Sequence, residues 1–176
     1  MHGYDGASQG GELVPTDDDV SDEAVRGDEE AMEIALAEAV LAGEHADVPV
    51  GAVVVRAGVV VARRHNERER MGDPTAHAEL LALRDAARAV GGWRLDGCTV
   101  YTTLEPCPMC AGALLAARVD RVVFAAADPK AGACGSLYNL LADPRLNHEP
   151  ELLPGVLAGP AASLLDAFFA ARRRSR

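Results

Sequence analysis

Apolar residues alternate between helix-like and strand-like spacing from residue 28 onward. The first run is rich in Ala and Glu, and its apolar positions predict a helix that ends near Gly43. Residues 48–55 are almost all apolar, and residues 59–62 are apolar again after a turn at Gly58. These two runs predict a hairpin of strands in a sheet that is covered on both faces.

The same alternation continues to the C-terminus, and it predicts a layered α/β sandwich. One further helix begins near Asp73 or Thr75, either of which can cap it. The predicted helices are residues 76–90, residues 108–117 and an amphipathic C-terminal helix that contains Phe168 and Phe169. The predicted strands are residues 99–103, 121–126 and, more weakly, 151–153, with a loop containing a short helical turn at 128–141.

The N-terminal segment has no apolar period and carries most of the charge. Residues 1–30 contain ten acidic residues and one arginine, so they account for −9 of the net charge of −10. We therefore predict an acidic disordered tail at residues 1–27 and one folded domain at residues 28–176. Because residues 31–176 carry a net charge of only −1, any binding to phosphates must come from a local basic patch.

Composition and cysteine usage narrow the class further. No apolar stretch is long enough to span a membrane, and the acidic N-terminus does not resemble a secretory signal. Of four cysteines, two lie in one short motif, which does not favour a disulfide framework. These features predict a reduced, cytoplasmic protein with no membrane partner.

Two short motifs carry the candidate chemistry. His77 and Glu79 form a His-x-Glu pair, and Cys107 and Cys110 form a Pro-Cys-x-x-Cys segment about 30 residues later. One imidazole and two thiolates are three of the four ligands of a tetrahedral zinc site. The fourth position then remains open for water, and Glu79 is predicted to move protons on that water.

The predicted position of each motif at the start of a helix separates these roles. Cys107 and Cys110 are three residues apart, so a first helical turn places both sulfurs on one side. The positive end of the helix favours the thiolate form that a metal requires. Glu79 is only two residues from His77, which is poor spacing for a second ligand on the same helix and leaves it as the acid/base group.

Each motif alone has a simpler interpretation. A Cys-x-x-Cys pair can be a redox dithiol, and a His-x-Glu pair can be a helix cap. The thiols can also be half of a structural zinc site that Cys98, Cys134 or His65 completes. The two motifs in this order, each opening a helix, favour a catalytic zinc centre of the kind found in nucleobase deaminases.

The chain resembles the tRNA-specific adenosine deaminases of the bacterial TadA type over nearly all of its length after the acidic segment. Both metal motifs and their neighbours carry this resemblance, as do the first strand, the loop after the fourth strand and the C-terminal helix. The matching segments are residues 48–53, 73–79, 103–113, 128–137 and 146–148, and the Phe168-Phe169 and Arg172-Arg173 pairs. Two departures are the acidic segment and Ala170-Ala171, where the family often has a longer or basic residue.

The resemblance implies a mixed five-stranded sheet in a three-layer α/β/α sandwich, one Zn²⁺ per subunit and a homodimer. It implies deamination of adenosine to inosine at the wobble position of the tRNA anticodon loop. The family's metal ligands fall on His77, Cys107 and Cys110, and its proton-shuttling glutamate falls on Glu79. Its substrate-binding positions fall on Asn66, Asp128 and Arg172, with Lys130 a further candidate in the Asp128 loop.

Two other functions share parts of this pattern. A free-base deaminase that acts on guanine or cytosine has the same metal motifs, and only the 128–136 loop and the C-terminal helix favour the tRNA enzyme. A non-catalytic zinc module is the second alternative, but a structural zinc site has no need of Glu79. Asn66 can also cap a turn, and Asp128 and Lys130 can simply solvate a loop.

Overall fold

A computed structural model describes residues 24–174 of the chain. The predicted tail, residues 1–27, therefore lies outside the described residues except for its last four. There Ala24 forms an antiparallel bridge with Val59, and the Val25 N–H donates to the Gly58 carbonyl oxygen at 2.8 Å. The chain thus enters the domain along the turn of the predicted hairpin.

Five strands form one mixed sheet in the spatial order β2-β1-β3-β4-β5. The strands are β1 (Gly51–Arg56), β2 (Val59–His65), β3 (Cys98–Leu104), β4 (Arg121–Ala126) and β5 (Glu151–Pro154). Strand β1 is antiparallel to β2 and β3, whereas β3, β4 and β5 are parallel. The predicted hairpin is confirmed, as is the weaker fifth strand.

Within residues 24–174, five helices accompany the sheet, and one of them was not predicted. They are α1 (Asp28–Glu44), α2 (Arg68–Met71), α3 (Ala78–Val90), α4 (Pro108–Ala117) and α5 (Ala158–Arg174). The predicted cap of α3 is wrong, because His77 occupies that position and no side chain caps the helix. Asp73 instead accepts hydrogen bonds from the Thr75 N–H and hydroxyl, both at 2.7 Å, and so forms a turn before the helix.

The helices cover both faces of the sheet, which confirms the three-layer sandwich. Alternate residues of β1 enter different cores, because successive strand side chains point to opposite faces. Val54 packs with residues of α3 and α4, and Val53 packs with residues of α1 and α5. Small side chains let the layers approach closely. A Cβ on Gly51 would lie 2.0 Å from the Ala35 carbonyl oxygen of α1.

The predicted metal motifs lie at one end of the sheet, beyond the carboxyl ends of its parallel strands. The carboxyl ends of β3 and β4 meet there with the N-terminal ends of α3 and α4. The start of β1 reaches the same edge, where the Gly51 N–H donates to Thr103 Oγ1 at 3.1 Å. Ligands of open α/β sheets bind outside the carboxyl ends of the strands, so this edge is where a site is expected.

At the opposite end of the strands, a bidentate ion pair connects the start of α1 to the start of β4. The Asp28 carboxylate, at the start of α1, accepts hydrogen bonds from Arg121 Nη1 at 2.6 Å and Nη2 at 3.1 Å. The Tyr101 hydroxyl donates to the same carboxylate at 2.9 Å. The hydrogen bonds from Arg121 hold the pKa of Asp28 below its usual 3.8, although partial burial opposes this shift.

We predict that Asp28→Asn lowers the free energy of unfolding by about 1–2 kcal/mol at pH 7, because charge-assisted bidentate hydrogen bonds are lost. The Asp28 carboxylate stabilises the fold fully above its unfolded pKa. That contribution disappears as the pH falls through its lower folded pKa. Urea denaturation at pH 7 and below pH 4 should therefore show that acidification lowers the free energy of unfolding less in the variant than in the wild type. Glu33→Gln, an exposed change on the same helix, is the control, and an equal effect of both substitutions contradicts the assignment.

Candidate active site

Two helix N-termini bring the His-x-Glu and Cys-x-x-Cys motifs together. His77 is the residue immediately before α3, and Cys107 is the residue immediately before α4. His77 has an extended backbone with ψ 147°, so the prediction that it lies inside the first turn of its helix is wrong by one residue. The helix predicted at residues 108–117 is confirmed, and Cys107 precedes it with an extended ψ of 171°. Cys110 does lie in the first turn of α4.

The three predicted ligand atoms have the spacing of a tetrahedral zinc site. His77 Nδ1 lies 3.7 Å from Cys107 Sγ and 3.5 Å from Cys110 Sγ. Zinc bonds of about 2.0–2.3 Å place nitrogen and sulfur ligands about 3.6 Å apart, so these residues fit the ion. Among residues 24–174, this is the one group of three such side chains within 4.8 Å of one another.

The electrostatics of the group favour a thiolate at Cys107. A hydrogen bond from Cys110 and a smaller effect of the hydrogen bond with His77 together lower the pKa of Cys107 to about 4, against the opposing effect of burial. The N-terminus of α4 acts in the same direction, because free amide donors and the helix dipole stabilise an anion. Cys107 therefore offers the deprotonated sulfur that a metal binds.

Glu79 lies in the first turn of α3 and is almost completely buried, at 4% exposure. Burial raises the pKa of its carboxyl group, so Glu79 holds a proton to higher pH than an exposed glutamate does. A carboxyl group whose pKa is raised in this way can act as both general base and general acid. Glu79 lines the same cavity as His77 and Cys107, and its role in proton transfer stays a prediction.

The alternative of a closed structural zinc site is not supported by the positions of the candidate fourth ligands. His65 binds Glu38 instead, with Nδ1 and Oε2 2.8 Å apart. Cys134 directs its thiol to the Pro106 carbonyl oxygen, and Cys98 is buried in the core. None of the three belongs to the group that His77 forms with the thiols.

A cavity of about 200 Å³ joins these residues to two predicted substrate positions. His77, Glu79 and Cys107 line it together with Asn66 and Asp128. Lys130 and Arg172 are not among its lining residues. The side chain of Arg172 stacks on Phe168, with 5.5 Å between the guanidinium and the ring centroid, in the last turns of α5.

Asn66 presents an unpaired acceptor to the site. Its side-chain amide donates to the Val48 carbonyl oxygen at 3.1 Å, and its backbone N–H donates to Val50 at 2.9 Å. These bonds fix the amide, while its Oδ1 atom is buried with no hydrogen-bond partner among the described residues. Buried acceptors are nearly always paired, so an unpaired one beside a cavity is expected to bind a ligand.

Asp128 shapes a turn as well as lining the cavity. Its Oδ1 atom accepts hydrogen bonds from the backbone N–H of Lys130 at 2.9 Å and of Ala131 at 3.2 Å. The carboxylate therefore holds the backbone of the loop in place. The alternative drawn from the sequence, in which Asp128 only solvates the loop, did not include this role. Lys130 is exposed beside it.

Sequence reasoning missed Arg68, which is exposed and lines the cavity. It is one of four arginines between residues 63 and 70, and the other three bind carboxylates of Glu38, Glu67 or Asp85. No ion pair of Arg68 is found in the described part of the chain. The unpaired cation could not be recognised in the sequence, because nothing there distinguishes it from its paired neighbours.

Glu105 is the second missed residue, a buried carboxylate that also lines the cavity. Burial opposes its charge, but hydrogen bonds from Ser136 and from backbone N–H groups of the following loop lower its pKa overall. The available signal was an acidic residue between a buried strand and the Pro-Cys-x-x-Cys segment. Such a residue must find several donors if it remains charged.

A three-layer sandwich with a His-Cys-Cys group and a buried glutamate at helix N-termini defines the class of zinc-dependent deaminases. Residues 25–126 match the family described as the cytidine and deoxycytidylate deaminase zinc-binding region. The chain belongs to this family and, within it, groups with the tRNA-specific adenosine deaminases. The family match agrees with the zinc-binding geometry of His77, Cys107 and Cys110.

Three similar proteins illustrate the relationship. A tRNA-specific adenosine deaminase of Bacillus subtilis (strain 168) is 49% identical over 149 residues, which cover 85% of this chain and 92% of that protein. A structure from a study of A-to-I editing by tRNA:A34 deaminases at the wobble position of transfer RNA is 44% identical, with a TM-score of 0.74, and the match covers 77% and 98% of the two chains. A guanine deaminase structure from Bacillus subtilis is 31% identical, with a TM-score of 0.58, and the match covers 84% and 95%.

We predict that Cys110→Ala reduces the zinc content from about one ion per chain to near zero, because two ligands bind zinc far more weakly than three. Elemental analysis of the purified variant measures this directly. Cys98→Ala removes a buried thiol that is not part of the group and should keep its zinc. Full metal content in the Cys110 variant contradicts the ligand set.

Proposed function

We propose that this protein hydrolytically deaminates adenosine to inosine at the wobble position of a tRNA anticodon, with one Zn²⁺ held by His77, Cys107 and Cys110. The carrying observation is one small cavity lined by His77 and Cys107 of the ligand group together with Glu79 and Asn66, whose Oδ1 atom has no hydrogen-bond partner among the described residues. The relatives named for this activity support the choice of substrate.

The residues divide the chemistry among them. When bound, zinc with three protein ligands supplies a water molecule whose pKa is lowered to roughly 7. Glu79 accepts the proton of the attacking water and delivers a proton to N1 of the purine as the bond to C6 forms. Glu79 then takes the remaining proton from the hydroxyl group now on C6 and passes it to the amino group. The bond from C6 to nitrogen breaks, ammonia leaves, and C6 becomes the carbonyl of inosine.

The size of the cavity requires an extruded nucleotide. A cavity of about 200 Å³ holds one base with part of its sugar and excludes a stacked helix. An unpaired anticodon base can be turned into such a cavity at low cost. We propose that Asn66 Oδ1, which has no hydrogen-bond partner among the described residues, accepts a hydrogen bond from the ribose or base and fixes the nucleotide while Glu79 acts.

Binding of the surrounding RNA must come from a few local cations, because the protein as a whole is acidic. Arg68 lies at the cavity and is unpaired among the described residues. We propose that Arg68 and Lys130 contact phosphates beside the extruded base, and that Arg172 on α5 contacts RNA farther away. Asp128 supports Lys130 by holding its backbone.

A guanine deaminase is the second candidate, since a guanine deaminase structure shares the fold at 31% identity. The decisive assay incubates the zinc-loaded protein with a tRNA or anticodon stem-loop bearing a wobble adenosine and, separately, with guanine, adenine and cytosine. Inosine in the RNA and released ammonia are measured. Turnover of guanine with none of the RNA rejects the proposed substrate.

We predict that Glu79→Gln retains zinc and lowers kcat by at least about 100-fold, because the group that moves protons is removed. Single-turnover assays and elemental analysis give the two measurements. Glu44→Gln makes the same charge change at an exposed position and should leave both unchanged. Near-normal turnover by the Glu79 variant rules out its proposed role.

We predict that Arg68→Gln weakens RNA binding and makes it less sensitive to salt, because one phosphate contact is lost. The slope of log kcat/KM against log salt concentration should become shallower by about one. Arg88→Gln is the matched control, since Arg88 is exposed and pairs with Asp85 on α3. Equal slopes for the wild type and the Arg68 variant would mean that Arg68 does not contact phosphate.

We further propose a homodimer and a cytoplasmic location. Most of α4 is not buried, and Met109 is 37% exposed on this largely apolar helix, which offers a contact surface for a second copy. Light scattering should then give about twice the chain mass of 18.4 kDa.

All four cysteines are unpaired, as expected in a reducing compartment. In the part of the chain that the structure describes, no helix is long and apolar enough to cross a membrane.

A further inference from the structure

Glu105 gathers hydrogen-bond donors from along one loop. Its side chain is only 2% exposed. Oε2 accepts the backbone N–H of Asp128 at 2.9 Å, and Oε1 accepts the N–H of Cys134 at 2.9 Å and of Ser136 at 3.0 Å. The Ser136 hydroxyl donates to the same carboxylate. One carboxylate therefore satisfies donors at both ends of the 128–136 loop.

The loop leaves no space between itself and this carboxylate. A Cβ on Gly132 would lie 2.3 Å from the Glu105 carboxyl carbon and 2.6 Å from the Asp128 carbonyl oxygen. Gly132 also donates its N–H to that carbonyl oxygen at 2.8 Å. Gly132 is thus required by close approach, and the loop is folded around the carboxylate.

The same contacts connect the loop to the metal motif. The backbone N–H of Glu105 donates to Ala126 at 2.8 Å, and the next carbonyl oxygen, of Pro106, accepts the N–H of Ala133 at 2.8 Å. Cys107 follows directly. Glu105, Cys107 and Asp128 all line the cavity. Residues 105–107 therefore contribute a thiol to the cavity and also hold the 128–136 loop, which forms another part of its lining.

We propose that Glu105 is a positioning residue for substrate binding, which holds the 128–136 loop in the shape that places Asp128 and Lys130 against RNA. A carboxylate buried for packing alone would cost free energy, whereas four donors from one loop both satisfy the charge and fix the loop. The proposal rests on the proposed function for the identity of the substrate. Its structural half, the hold on the loop, does not depend on that identity.

The experiment compares Glu105→Gln and Gly132→Ala with the wild type in the zinc-loaded full chain. In the Gln variant, an amide NH₂ facing a backbone N–H leaves a buried donor unpaired, so KM for an anticodon stem-loop should rise roughly tenfold. We expect kcat to change less than about threefold and zinc content to stay the same. Gly132→Ala disturbs the contact from the other side and should reproduce the KM effect.

Hydrogen exchange provides a readout that needs no RNA. The amides of Asp128, Cys134 and Ser136 should exchange at least about tenfold faster in Glu105→Gln than in the wild type, because one carboxylate oxygen becomes an NH₂ that cannot accept and the remaining oxygen loses the charge that strengthens its hydrogen bonds. Glu33→Gln and Gly159→Ala make the same chemical changes at exposed or open positions and should affect neither KM nor these amides. Ser136→Ala removes one donor and should raise KM only about threefold, which keeps the test available if Glu105→Gln does not fold.

Three results overturn the proposal. The first is an unchanged exchange rate at the three amides, and the second is an unchanged KM in both Glu105→Gln and Gly132→Ala. The third is a loss of zinc and a fall in kcat in Glu105→Gln without a change in KM, which would mean that Glu105 acts on the metal motif. Non-additive KM effects in the Glu105→Gln, Gly132→Ala double variant support it, because both changes act on one contact. If the wild type does not act on RNA, the proposed function fails, and the exchange rates still decide whether Glu105 holds the loop.

Discussion

The meeting of two helix N-termini at the carboxyl edge of the sheet is the constraint on which the rest of the molecule depends. It brings His77 Nδ1 to 3.5 Å from Cys110 Sγ, although the two residues are far apart in sequence. Both helix ends direct free N–H groups and positive partial charge to the same point, which favours thiolate there. Without that convergence the motifs are separate fragments, and neither can hold an ion or a reacting base.

The fold makes this convergence possible by packing small residues between close layers. Because β3 pairs in parallel with β4, the carboxyl ends of both strands lie at the same end of the sheet. Helices α3 and α4 pack against the same face of the sheet. On the other face, α1 approaches so closely that Gly51 has no space for a Cβ. A core rich in Ala and Val, with few buried aromatic residues, allows these layers to lie close together.

Charge is used locally throughout the site. Buried carboxylates occur where several donors converge, as at Glu105, or where an unusual pKa serves proton transfer, as we propose for Glu79. Arginines near the cavity are mostly neutralised by neighbouring acids, which leaves Arg68 as a cation lining the cavity. An acidic protein can in this way offer a limited surface to an RNA loop without a strong overall field.

The sequence by itself determined the alternation of helices and strands, a layered α/β class and the candidate ligand set, whereas the three-layer arrangement was implied by the family resemblance. Apolar period and residue spacing are local properties, so they can be seen along the chain. Only the tertiary structure decided that His77 precedes its helix, that Asn66 Oδ1 has no hydrogen-bond partner among the described residues, and that Glu105 binds the 128–136 loop. It also separated Arg68 from its paired neighbours and placed Lys130 and Arg172 outside the cavity lining. Each of these depends on which distant groups become neighbours, and hydrogen bonding and ion pairing between distant residues leave no periodic trace in a single sequence.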